Sequence, residues 1–139
     1  MKSLKIALFL SFVIGAKLNA QRCITERSDS TIYTTVEVPP SFPGGHDSLG
    51  VYLKYNTIYP EVYQKYAYRE TLIVKFVIEK NGSISSVELI QGGFREFEKI
   101  ALDLVKNMPR WNPAMQNDEL RRCYFAILVK FCPEGCAGW

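Results

Sequence analysis

The chain has 139 residues, enough for one domain. It holds seventeen basic and fourteen acidic residues; three of the basic ones (Lys2, Lys5, Lys17) lie in the first twenty positions, so the remainder carries fourteen of each sign. That balance leaves no basic footprint for nucleic acid, and a lone histidine, His46, leaves no histidine-built metal centre.

Residues 1–20 read as a secretory signal peptide. Lys2 and Lys5 form a positive n-region, Ile6 to Ala16 an apolar h-region, and Leu18-Asn19-Ala20 a small-residue cleavage site. Eleven apolar residues are too few to span a bilayer, which needs about twenty. The expected location is the periplasm, with inner-membrane anchoring if the N-terminus is retained. Residues 21–35 are polar and rich in Ser and Thr, and read as a flexible lead-in. The folded domain is expected over residues 36–131, followed by a cysteine-containing tail, 132–139.

Within the domain, Val36-Glu37-Val38 alternates like a short strand. Pro39 to Gly45 is rigid and turn-rich. Leu49, Tyr52 and Leu53 form the inner stripe of a helix over Asp47–Asn56, capped by Asp47 or Gly45. Pro60 opens a short helical turn, Pro60–Tyr66. A strand over Thr71–Glu79 and a strand over Ile84–Ile90 flank Asn81-Gly82, which reads as a two-residue hairpin turn with both residues at positive φ. That turn pairs Phe76 with Val87, Val74 with Leu89 and Ile78 with Ser85 on an apolar face, and Lys75 with Glu88 on the other. Phe97, Ile100, Ala101, Leu104, Val105 and Met108 stripe a helix over Phe94–Met108, which Pro109 stops. The last strand is Arg121–Phe131. The helix between the second and third strands makes a right-handed crossover. The expected fold is therefore α+β: a three-stranded antiparallel sheet, order 2-1-3, with two helices packed on one face.

Catalytic chemistry finds no foothold. Gly44-Gly45 and Gly92-Gly93 are isolated pairs and make no phosphate loop. Asp47 beside His46 reads as a helix-capping pair. Cys132 and Cys136 are spaced C-x-x-x-C, unlike the C-x-x-C of thiol oxidoreductases. The chain reads as neither an enzyme nor a cofactor or metal binder. Its four cysteines lie in the exported part, where an even count favours disulfides. One connectivity joins Cys132 to Cys136 and Cys23 to Cys123; Cys123 as a buried free thiol is the other reading.

The last strand is an outer edge in that topology. An open edge accepts an extended guest chain. The competing reading is an edge blunted by Arg121, Arg122 and Lys130 and covered by the Cys132–Cys136 tail. On the residues alone the two stand level.

A resemblance separates them. Val38-Pro39-Pro40-Ser41-Phe42-Pro43-Gly44-Gly45, the helix with Leu49, Tyr52, Leu53 and Asn56, Tyr59-Pro60, Val74 to Ile84, Ala101 with Val105, and Met108-Pro109-Arg110-Trp111-Asn112-Pro113 together resemble the TonB C-terminal domain in its Bacteroidetes form. The resemblance covers roughly residues 36–131. It departs at Ala114, where the family usually has glycine, and at Tyr66–Thr71, where glycines usually precede the first strand. It implies binding of the extended TonB box of outer-membrane TonB-dependent receptors by strand addition, in support of energy-coupled transport. The implied edge is Arg122, Cys123, Tyr124, Phe125, Ala126, Ile127, Leu128, Val129 and Lys130. Full transducers carry a membrane helix and a Pro-rich spacer; neither is read here, so any link to the inner-membrane proton motor is expected through a separately anchored partner. The alternative is a stand-alone periplasmic structural or regulatory module whose edge pairs with a second copy as a homodimer.

Overall fold

The computed structural model describes residues 30–133. The proposed signal peptide, Cys23 and Cys136 lie outside them. Eight elements follow in chain order: β1 (Ile32–Tyr33), α1 (Gly45–Asn56), α2 (Glu61–Gln64), β2 (Glu70–Ile78), β3 (Ile84–Gln91), α3 (Arg95–Lys106), β4 (Ala114–Gln116) and β5 (Glu119–Phe131).

β2 alternates Leu72, Val74, Phe76 and Ile78 toward the helices, all at 0% exposure. β5 answers with Ile127, Val129 and Phe131, and α3 closes the layer with Phe97, Ala101, Leu104 and Val105. Leu49 and Leu53 bring α1 into the same cluster. Burying each such large side chain contributes about 1.5–3 kcal/mol. A second tie holds α1 to α3, where the Tyr52 hydroxyl donates to Leu104 O at 3.1 Å. That burial pushes the Tyr52 pKa above its ordinary value.

The sheet departs from the expected three strands. Its order is β1-β5-β2-β3, and β4 also pairs with β5. The β2–β3 and β2–β5 pairs are antiparallel, but β1 runs parallel to β5 at Arg122 and Cys123. β1 falls in the lead-in that composition marked as flexible. Two residues are too short to show a period, and Thr31-Ile32-Tyr33 offered only β-propensity. The segment after β1 continues the sheet margin through isolated bridges, Val38 to Met115 and Ser41 to Asn112. Glu37 secures it: its carboxylate accepts from Gln116 Nε2 at 3.0 Å and Asn117 N at 3.2 Å.

Turn chemistry is the other correction. Between β2 and β3, Glu79 and Ser83 close a loop of three residues, Lys80-Asn81-Gly82. Glu79 N–H donates to Ser83 O at 2.8 Å, and Gly82 N–H to Glu79 O at 2.9 Å. Gly82 alone is left-handed there, at φ +81°. The pair with both residues at positive φ is Asn117 (+53°) and Asp118 (+59°), which joins β4 to β5. Val74–Leu89 and Lys75–Glu88 pair as expected, the latter with an ion pair at 3.2 Å. Beyond them β3 carries an extra residue at Ser86, φ +49°. Val77 then meets Ser85 and Ile78 meets Ile84, so the Ile78–Ser85 pair does not form.

Trp111, 3% exposed, locks this turn to the core. Its ring packs 5.6 Å from Phe76, 5.5 Å from Phe42 and 4.9 Å from Phe125. Its backbone N–H donates to Gly82 O at 2.8 Å. A Cβ on Gly82 would lie 2.0 Å from Trp111 O, whereas one on Gly45, also left-handed, meets nothing within 4 Å. Gly45→Ala is expected to cost only the left-handed penalty of about 1–2 kcal/mol. Gly82→Ala should cost clearly more, because turn and clamp cannot both survive. Denaturant unfolding of the two variants checks the order.

Candidate functional site

The site is built on the backbone of β5. Glu79 N–H turns toward β3 to reach Ser83. By alternation Ile78 and Phe76 turn toward β5, where they oppose Cys123 and Phe125. The β2–β5 register has no shift, so odd-numbered residues of β5 direct their N–H and C=O groups at β2. The even-numbered ones, Arg122, Tyr124, Ala126, Leu128 and Lys130, direct theirs to the opposite, outer side.

β1 occupies that outer side at Arg122 and Cys123. From Tyr124 to Phe131 no described strand pairs with it. The tail from 134 onward lies outside the described residues. Of the nine edge residues singled out above, seven thus lie along the unpaired stretch and two lie against β1.

A groove of about 560 Å³ runs beside the open stretch. Phe125, Ala126, Ile127, Leu128 and Lys130 form its strand side, and α1 forms the other with His46, Leu49, Val51 and Lys54 among its residues. The sequence marked the strand but missed the helical wall. Val51, 56% exposed, was the available signal, since it breaks the polar outer face of α1. Leu128 is 52% exposed. Backbone groups in need of partners therefore lie next to apolar surface.

β1 is anchored by charge. Arg122 donates through Nε to Glu79 Oε2 at 2.7 Å, through Nη2 to Glu79 Oε1 at 2.9 Å, and through Nη1 to Ser30 O at 3.0 Å. Arg121 stacks on the Tyr33 ring at 5.6 Å. The Arg122 hydrogen bonds hold the Glu79 carboxyl below its ordinary range, and the Ser85 hydroxyl adds to this while burial opposes it. Glu79 raises the Arg122 pKa in turn. Cys123 is a buried free thiol, its Sγ 3.4 Å from Tyr124 O, and burial pushes its pKa up. The Cys23–Cys123 pairing involves Cys23, which lies outside the described residues. The Cys132–Cys136 pairing lies outside the described residues. Among the described residues no cluster of three metal-ligating side chains occurs, and no helix is long and apolar enough to cross a membrane.

The chain folds as a small α+β domain whose longest strand, β5, is laddered to β2 on one side and, from Tyr124 to Phe131, meets no described strand on the other. The family of the Gram-negative bacterial TonB protein C-terminal matches residues 55–132, more than half of the chain. The chain belongs to the TonB C-terminal family. These domains are envelope-associated interaction modules that engage TonB-dependent receptors. A solved structure similar to it is the solution structure of the Helicobacter pylori TonB C-terminal domain, 14% identical, covering 68% of this chain and 89% of that one, with a TM-score of 0.47. No curated protein matches the chain.

A carboxylate whose pKa falls on folding adds stability above its unfolded pKa and loses it as pH falls through the folded value. Unfolding free energy should therefore decline as pH drops below about 4.5, the ordinary value for Glu79. Glu79→Gln should be less stable at neutral pH and show a shallower decline. Denaturant titrations between pH 3 and pH 7 check both.

Proposed function

We propose that this domain binds the extended TonB box of outer-membrane TonB-dependent receptors as a strand added to β5 at Tyr124–Lys130, in support of energy-coupled transport across the outer membrane. The observation that carries the reading is the outward row of N–H and C=O groups at Tyr124, Ala126, Leu128 and Lys130, met by no described strand and flanked by the α1 groove. A guest strand supplies what that row lacks. Its inward side chains would sit over Phe125 and Ile127 and against α1. Its outward ones would sit beside Ala126 and Leu128.

The role asks for no catalytic group and no cofactor. Backbone pairing provides the affinity and the groove sorts the side chains. The contact is small, under about 1,200 Å² in all, which suits transient engagement. In this reading exported domains reach the receptor from the periplasmic side, and a separately anchored partner supplies the link to the inner membrane.

Ala126→Pro tests it. The substitution removes an outward donor and leaves the inward pairing of Phe125 and Ile127 with β2 in place. Box-peptide binding should fall at least ten-fold by calorimetric titration while the circular dichroism spectrum is preserved. Unchanged affinity would exclude this edge.

A further inference from the structure

The chain between α1 and β2 turns one side inward and leaves the other bare. Thr57 and Pro60 are extended, so side chains alternate between them. Tyr59 points inward, its ring 5.7 Å from Phe97 and its hydroxyl donating to Tyr68 O at 2.6 Å. Ile58 therefore points outward. Helical turns follow, in which Tyr63 N–H donates to Pro60 O and Tyr66 N–H to Tyr63 O. Tyr63 takes the inner side, its ring 4.9 Å from Phe97 and its hydroxyl donating to Glu96 Oε2 at 2.9 Å. Val62 and Tyr66, four residues apart, share the outer side. Tyr55, two residues past the buried Leu53, stands on the outer side of α1.

That outer side is apolar. Tyr55, Ile58, Val62 and Tyr66 are 69–76% exposed, and no other large apolar side chain among the described residues exceeds 58%. Loose structure does not account for this, because Tyr59 and Tyr63 pin the segment from beneath. The outer face of α3 shows the ordinary alternative, with Arg95, Glu98, Lys99, Asp103 and Lys106 mixing charge of both signs.

Each of the two outer tyrosines has a lysine beside its ring. Lys54 Nζ lies 5.9 Å from the Tyr55 ring and Lys65 Nζ 6.0 Å from the Tyr66 ring. Neither lysine makes an ion pair among the described residues. The one carboxylate in the same stretch is Glu61. Apolar side chains with a tyrosine and a cation at each end match the boundary of a bilayer that holds anionic lipid: the apolar groups enter, while the hydroxyls and ammonium groups stay at the head groups. A second copy on the same face would bring one carboxylate to meet two lysines, and so fits it less well.

We propose that the connector from Tyr55 to Tyr66 is a membrane-contact surface, which rests the domain on a bilayer containing anionic lipid through Tyr55, Ile58, Val62 and Tyr66, with Lys54 and Lys65 meeting the lipid charge. The inference does not depend on strand addition at β5. Four side chains and two cations give shallow, reversible contact rather than anchoring.

The test is co-sedimentation of the exported chain with phosphatidylcholine vesicles, with and without phosphatidylglycerol. Binding is expected to be about five-fold tighter when the anionic lipid is present. The Ile58→Ser, Val62→Ser double variant should bind about ten-fold more weakly with its unfolding midpoint unchanged, since both side chains are exposed in the fold. The Lys54→Glu, Lys65→Glu double variant should lose the anionic preference. Glu61→Gln should increase it, a gain that damage to the fold could not produce. With vesicles present, hydrogen exchange should slow over Tyr55–Tyr66 and stay unchanged over α3. Vesicle binding that ignores the Ile58 and Val62 substitutions overturns the proposal. So does self-association in sedimentation velocity that the same substitutions abolish, because the face then meets a second copy.

Discussion

The domain depends on the ladder between β2 and β5. It runs in register from Glu70 opposite Phe131 to Ile78 opposite Cys123 without a shift. One side of it supplies the apolar alternation on which α1 and α3 pack. Its strictness also decides where every backbone group on β5 points. Because the odd-numbered residues are fully engaged inward, the even-numbered ones form an uninterrupted outward row. The bare margin is thus a by-product of the same regularity that holds the core together. A sheet that slipped or bulged along β5 would scatter that row and disturb the core at once.

The sheet has a second margin at β3, and the two differ in kind. β3 carries two register shifts against β2 and a left-handed Ser86. Bulges of this sort twist a strand and break the even spacing that a neighbouring chain needs. β5 has no such interruption, and α1 places apolar surface next to it. One edge is irregular and the other regular, so the two margins of the same small sheet offer a neighbouring chain different backbone spacing.

Long periodic elements were legible in the sequence because burial writes its own period. Leu72, Val74, Phe76 and Ile78 alternate, and Phe97, Ala101, Leu104 and Val105 follow a helix face. Turns were not, because Asn81-Gly82 suits two loop lengths. Trp111 holds the three-residue form from a distant part of the chain by accepting no alternative position for Gly82 O. Asn117-Asp118 went unread because Met115 and Gln116 before it are too few to show a strand. β1 was invisible for the same reason, and nothing at Ser86 announces a bulge. At the site, the strand could be read and its helical wall could not. The wall exists only because Phe42, Trp111 and Phe125 fix where α1 begins, and no local pattern encodes that contact.

β1 has a mechanical meaning. It lies parallel to β5 and adjoins it just before the stretch available to a guest. Arg122 ties Ser30, just ahead of it, to Glu79, just past β2. A tug on the chain ahead of the domain would enter at β1. A load applied to a seated guest would enter a few residues further along the same strand. The line of tension between them would be one short length of β5, leaving β3 off the direct path. Such a layout would let traction pass without peeling the β2–β3 ladder.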